Sequence, residues 1–140
     1  STVAQDSTTI GDNFVAADMG TNKYAVAVDL YAYNVCALLN TGEVKCWGYG
    51  AGPHGQGYFS GTNHLGDGAD EMGDNLNALP LGTGKLANCI AVGESHACAI
   101  LTDTTLKCWG AGNNGKRGSG SQTAVGRTSG QTDMGDAWAA

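Results

Sequence analysis

The sequence predicts an all-β chain built as antiparallel four-stranded propeller blades, two of them complete and a third only begun. Three observations lead there. The segment CALLNTGEVKCWG, from Cys36 to Gly48, returns as CAILTDTTLKCWG from Cys98 to Gly110. Held at that offset of 62, 18 of 62 aligned pairs are identical, mostly on Gly, Cys and other turn or strand residues, which chance agreement would not produce. A fixed period of this size marks an architecture in which each unit buries its apolar faces against its neighbours. Composition is the second observation: 23 Gly and only 14% charged residues. Glycine inside a helix costs about 1 kcal/mol relative to alanine, so this chain suits short strands and tight turns better than long helices. Third, about four short apolar runs bounded by turn residues fall in each period, the anatomy of a propeller blade.

Taken in order, residues 1–10 read as an N-terminal extension, 11–72 as the first repeat, 73–134 as the second and 135–140 as the start of a third or a terminal stub. The opening STVAQDSTTIGDN has neither the basic nor the apolar region of a secretory leader. Gly11-Asp12-Asn13 returns at Gly73-Asp74-Asn75, and Gly135-Asp136 begins another copy. Asp12, Asp74 and Asp136 are expected to close Asx-turns onto nearby backbone N–H groups. The four strands of each unit are expected near residues 14–19, 24–30, 35–39 and 43–47, and again near 76–81, 86–92, 97–101 and 105–109. Trp47 and Trp109 end the last strand of each unit and are expected to pack at the seam between blades. Gly-rich connections run from Gly48 to Met72 and from Gly110 to Met134.

The last two strands of each unit form a hairpin whose register can be counted. With Asn40-Thr41-Gly42 as a three-residue loop, Leu39 faces Glu43 and Cys36 falls opposite Cys46. Such a loop needs a left-handed residue at its end, which Gly42 supplies without a Cβ penalty. In the second copy Thr102-Asp103-Thr104 is the loop and Cys98 faces Cys108. Thr104 in place of glycine implies a more strained turn or a different type. We read two disulfides, 36–46 and 98–108, with four packed thiols as the alternative. Each closes only about ten residues and so rigidifies its hairpin. Disulfides imply an oxidising compartment. Zinc fits poorly, because its sites bring ligands in close pairs, which neither the ten-residue spacing nor the nearby histidines supply. Cys89 is the odd cysteine and is expected to be a small buried free thiol.

Net charge is −6 and the pI about 4.7, against a phosphate-binding platform and hence against nucleic acid. Lys116, Arg117 and Arg127 read as one solvated basic loop. No apolar run is long enough to span a membrane. Asp67, Asp70, Glu71 and Asp74 concentrate acids in a Gly-rich turn, a weak calcium option that departs from the EF-hand pattern at Ala69. His54 and His64 lack a recurring nucleophile or carboxylate, and Ser95 and His96 point to opposite faces of one strand, which spoils a dyad. No cofactor motif occurs, and nothing in the chain calls for catalysis.

The segments VCALLNTGEVKCWGYG and ACAILTDTTLKCWGAG resemble the hairpin of the regulator-of-chromosome-condensation repeats, a family of seven-bladed β-propellers. The segments GDGADEMGDNLNALPLGTGK and GDNFVAADMGTNK resemble the cysteine-containing variety of these repeats found in some bacteria and algae, often in exported proteins. The chain departs from the family after Trp-Gly, where HGQGYF and NGKRGSG replace the usual Gly-Gln-Leu-Gly ending. Two blades and a stub also cannot close a ring, so further chain or a partner is expected to cover the open faces.

The resemblance implies a non-catalytic interaction or scaffold module: an extrinsic subunit gripping a protein partner through its loops. His54, Tyr58, Phe59, His64, Lys116 and Arg117 are the expected contact residues. The expected setting is secreted or lumenal, with a photosynthetic membrane complex as one version. The alternatives are a guanine-nucleotide-exchange regulator, an extracellular enzyme inhibitor and a calcium-binding surface protein.

Overall fold

The computed structural model describes residues 14–49, 64–126 and 133–137. Strand β1 is Ala25–Tyr31, β2 Asn34–Leu39 and β3 Val44–Gly48; after the first long connection come β4 Ala87–Val92, β5 His96–Leu101 and β6 Leu106–Gly110. They form two three-stranded antiparallel meanders, β1-β2-β3 and β4-β5-β6. Single 3-10 turns occur at Gly73–Asn75, Asn113–Gly115 and Gly135–Ala137, and no α-helix occurs among the described residues.

The expected fourth strand is absent from both sheets. Residues 14–19 and 76–81 form no strand. The later segment instead lies along the preceding sheet, where the Leu79 N–H donates to the Val44 carbonyl on β3 at 2.8 Å. Pro80 follows, and with no N–H to donate it cannot extend a ladder there.

Both hairpins have the register counted from sequence: Cys36 pairs with Cys46 and Cys98 with Cys108. Counting back from Leu39, whose N–H donates to Glu43, the cysteines occupy a narrow non-hydrogen-bonded pair. Their Cα atoms are 4.1 and 4.0 Å apart, and both pairs are disulfides. Gly42 takes φ +80°. Thr104 takes φ +70° and closes the same turn, its N–H donating to the Leu101 carbonyl at 2.9 Å. The turn type is therefore conserved, and the threonine carries the strain.

The two faces of each sheet differ, and the sheets stack one kind of face on the other. In the first sheet Cys36, Leu38, Val44 and Cys46 form the disulfide face. In the second, Ala97, Ala99, Leu101 and Trp109 form the tryptophan face. These two faces meet in one core with Leu79, Leu81 and Met134, and Trp109 is its largest fully buried side chain. Trp109 thus lies at the seam between sheets. Trp47 is only half-buried, packed with Met72 on a smaller cluster of Met19, Ala37 and Leu39 on the outer face of the first sheet.

Cys89 is exposed rather than buried. The cause is a bulge between Ala87 and Cys89, which pair with the adjacent residues Leu101 and Ile100. One extra residue reverses which face follows. Ala87 therefore points into the core, and Cys89, two positions on, points away from it.

Candidate interaction surface

Paired side chains tie each unit to the next. The Asp74 carboxylate accepts from both the N–H (3.0 Å) and the hydroxyl (2.6 Å) of Thr21, 53 residues earlier. Asp136 holds Thr83 in the same way, at 2.8 Å from the N–H and 2.5 Å from the hydroxyl. The expected local Asx-turns at these aspartates are thus replaced by long-range caps on the Gly20 and Gly82 turns; Asp12 lies outside the described residues. Gly20 must be glycine, because a Cβ there would stand 2.5 Å from Asp74 Oδ1. The hydrogen bonds from Thr21 and Thr83 hold the two carboxyls below the usual aspartate range.

Beside these ties lie two buried lysines that sequence reasoning had passed over. Lys45 is 2% exposed and donates to the carbonyls of Met19 (2.9 Å) and Gly73 (2.7 Å). Lys107 donates to Leu81 (3.1 Å) and Gly135 (3.2 Å). Burial pushes the Lys45 ammonium below its ordinary pKa, opposed in part by Asp74. Their signal was the repeated Lys-Cys-Trp-Gly: a lysine one residue before a core cysteine alternates onto the opposite face, which also packs.

The acidic turn commits two of its carboxylates to hydrogen bonds within the protein. One oxygen of Glu71 accepts three backbone N–H groups, from Gly66 (2.9 Å), Asp67 (3.1 Å) and Gly68 (2.9 Å). Those bonds, the one from Gly68 foremost, hold its pKa below the ordinary value. With Asp74 committed to Thr21, the acids do not converge, and no ligand cluster of three forms among the described residues.

Of the expected contact residues, His54, Tyr58 and Phe59 lie outside the described residues. Lys116 donates to the Ser95 hydroxyl at 3.1 Å, and Arg117 to the Thr123 carbonyl. Lys116 thus ties its loop to the β4–β5 turn, and Arg117 braces its own loop. His64 is different. It stacks on Tyr49 with centroids 5.2 Å apart and planes at 29°, and Tyr49 meets Tyr33 at 6.1 Å. These rings surround a groove of about 450 Å³ at one end of the first sheet, floored by Trp47 and Leu65. Tyr33 is 78% exposed.

The backbone builds this end. Gly48 pairs with Leu65 through two hydrogen bonds of 2.9 and 3.0 Å, and Gly110 pairs likewise with Val125. The second connection thus returns to its sheet two residues sooner, which is why the constant offset loses its matches beyond residue 50. Gly48 is obligatory, since a Cβ would sit 2.0 Å from the Tyr33 carbonyl. By these pairings the second-sheet counterparts of Tyr33, Tyr49 and His64 are Ser95, Ala111 and Ala124. The aromatic cluster belongs to one unit alone.

Comparisons with known proteins agree with this repeat anatomy. The regulator of chromosome condensation (RCC1) repeat matches residues 88–116. The E3 ubiquitin-protein ligase HERC2 of Homo sapiens is 30% identical over 124 residues, which take in 86% of this chain and 2% of that protein. The crystal structure of human WBSCR16 superposes with a TM-score of 0.50 at 19% identity, over 76% of this chain and 25% of the other, a likeness of fold. The chain therefore spans only a small part of either relative. The second unit thus carries a regulator-of-chromosome-condensation repeat, and the first unit repeats its disulfide-clipped Lys-Cys-Trp-Gly hairpin.

Proposed function

We propose that this chain is a non-catalytic protein-interaction module that works in an oxidising compartment, its two sheets serving as blades of an incomplete propeller. It docks on a protein partner through the Tyr33–Tyr49–His64 cluster, as an extrinsic component of a larger assembly. One observation carries the reading: the second unit builds the same frame with Ser95, Ala111 and Ala124, so the fold has no need of the three rings. Exposed tyrosines that add nothing to a frame suit recognition, offering large, stiff area with a polar tip. The two disulfides are consistent with an oxidising setting. They speak to redox conditions alone, and the photosynthetic version draws no support from them.

The test is affinity capture from the source tissue with the native chain and with the triple variant Tyr33→Ser, Tyr49→Ala, His64→Ala. The variant copies the second unit and should keep its fold and both disulfides. A partner recovered by the native chain and lost by the variant supports the reading; equal recovery overturns it.

A further inference from the structure

Among the described residues, the stack of two sheets leaves two unlike faces uncovered, and each is the counterpart of a face already buried inside the molecule. On the outer side of the first sheet lies a groove of about 590 Å³ whose walls include Ala17, Met19, Ala25, Val28, Ala37 and Trp47. One period later, the same positions are Leu79, Leu81, Ala87, Ile90, Ala99 and Trp109, and there the space is filled by Cys36, Leu38, Val44 and Cys46. The counterparts of that filling, Cys98, Ile100, Leu106 and Cys108, stand on the open side of the second sheet. Ile100 is 44% and Leu106 56% exposed. The chain thus displays an empty receptor at one end and a matching plug at the other.

We propose that two copies of this chain associate head to tail, the disulfide face of the second sheet in one copy seating in the tryptophan-bearing groove of the first sheet in the other. The occupant is set by the internal interface, which shows the same two surfaces packed together within one molecule. A contact between unlike faces is heterologous, so it leaves one face free at each end and continues to a ring or an open chain. Two internal backbone bonds have intermolecular equivalents. The Leu79 N–H to Val44 carbonyl bond becomes Ala17 to Leu106, and the Ala87 N–H to Gly42 carbonyl bond becomes Ala25 to Thr104. One position fits less well: Gly42 lies against Leu86, where a Cβ would approach to 2.9 Å, and its counterpart Thr104 brings that Cβ against Tyr24. The contact between copies is accordingly looser than the internal one, and association depends on concentration.

Sedimentation velocity of the native chain from ~1 µM to ~1 mM, a range that spans transient affinities, should show dimers and larger species growing with concentration. Val28→Glu spoils the groove and Ile100→Glu the plug, both at exposed positions that leave the fold intact. Each variant alone should stay monomeric, weakening association by more than about tenfold, since a carboxylate would be buried against apolar surface. Mixed one to one, they should give a dimer, because each keeps the one face the other lacks. Thr104→Gly should shift native association to lower concentration. A native chain that stays monomeric throughout overturns the proposal, as does a mixture that fails to dimerise. Val28→Glu dimerising by itself would show plug meeting plug and overturn it equally.

Discussion

Asp74 caps Thr21 through both carboxylate oxygens, one on the backbone N–H and one on the hydroxyl, joining the start of one repeat to the first turn of the previous one. Asp136 and Thr83 reproduce the joint one period later.

The first prediction concerns acid. Asp74 and Asp136 are held below the ordinary value of 3.8 by their threonines, and Glu71 below 4.5 by backbone N–H groups. A carboxyl whose folded pKa is depressed contributes stability that is complete above its unfolded pKa and lost as pH falls through the folded one. Urea midpoints should hold steady from pH 7 to about the ordinary carboxylate range and then decline. Asp74→Ala should lower the midpoint at pH 7 and flatten the acid limb. A variant that parallels the native curve would remove Asp74 from this role.

Lys45 supplies the second. Replacing it with methionine keeps the packing but strands the carbonyls of Met19 and Gly73. The expected cost is about 1–3 kcal/mol, the penalty for buried acceptors left without a donor, read from denaturant unfolding. An unchanged or higher stability would mean that desolvating the ammonium outweighs its two bonds.

The paired turns give a third. Gly42 and Thr104 occupy the same left-handed position. Gly42→Ala meets both the conformational penalty and the Leu86 side chain, and should destabilise by about 2 kcal/mol. Thr104→Gly should stabilise by about 1 kcal/mol, as relief of a β-branched residue outweighs the added freedom of the unfolded chain. Thermal unfolding of both variants checks the opposite signs.

Thiol chemistry provides the fourth. Cys89 is exposed and should react with an alkylating reagent in the native state. Under mild reductant the Cys98–Cys108 bridge, on the open face, should open before Cys36–Cys46, which is wholly buried beneath the second sheet. Loss of either bridge should cost about 2–3 kcal/mol for a loop of this length. Timed alkylation and mass spectrometry give the order; simultaneous reduction would contradict the stacking described here.

Hairpin register and the left-handed position at residue 42 were legible in the sequence, because loop length and strand alternation leave one solution; that register set each cysteine pair face to face, and the disulfides followed as the favoured reading over packed thiols. The side on which Cys89 lies was not. A bulge inserts one residue with no compositional mark, and alternation read straight through it gives the wrong face. The buried lysines were hidden by the ordinary preference of lysine for water, which two backbone carbonyls override at Lys45 and Lys107. The fourth strand was misread because residues 76–81 are apolar and bounded like a strand, yet they serve the neighbouring sheet through Leu79. The Tyr33–Tyr49–His64 cluster needed the three-dimensional pairing of Gly48 with Leu65 to bring His64 back beside Tyr49.

Because Leu79 bonds to Val44 of the earlier sheet, the covalent order of the chain and its mechanical connections run out of step. Pulling on the two ends would not peel one sheet cleanly from the other: the strap at residues 76–81 has to be sheared from β3 first. Anyone shortening, fusing or permuting this polypeptide should therefore place the junction where no strap crosses it, rather than where one sequence copy gives way to the next.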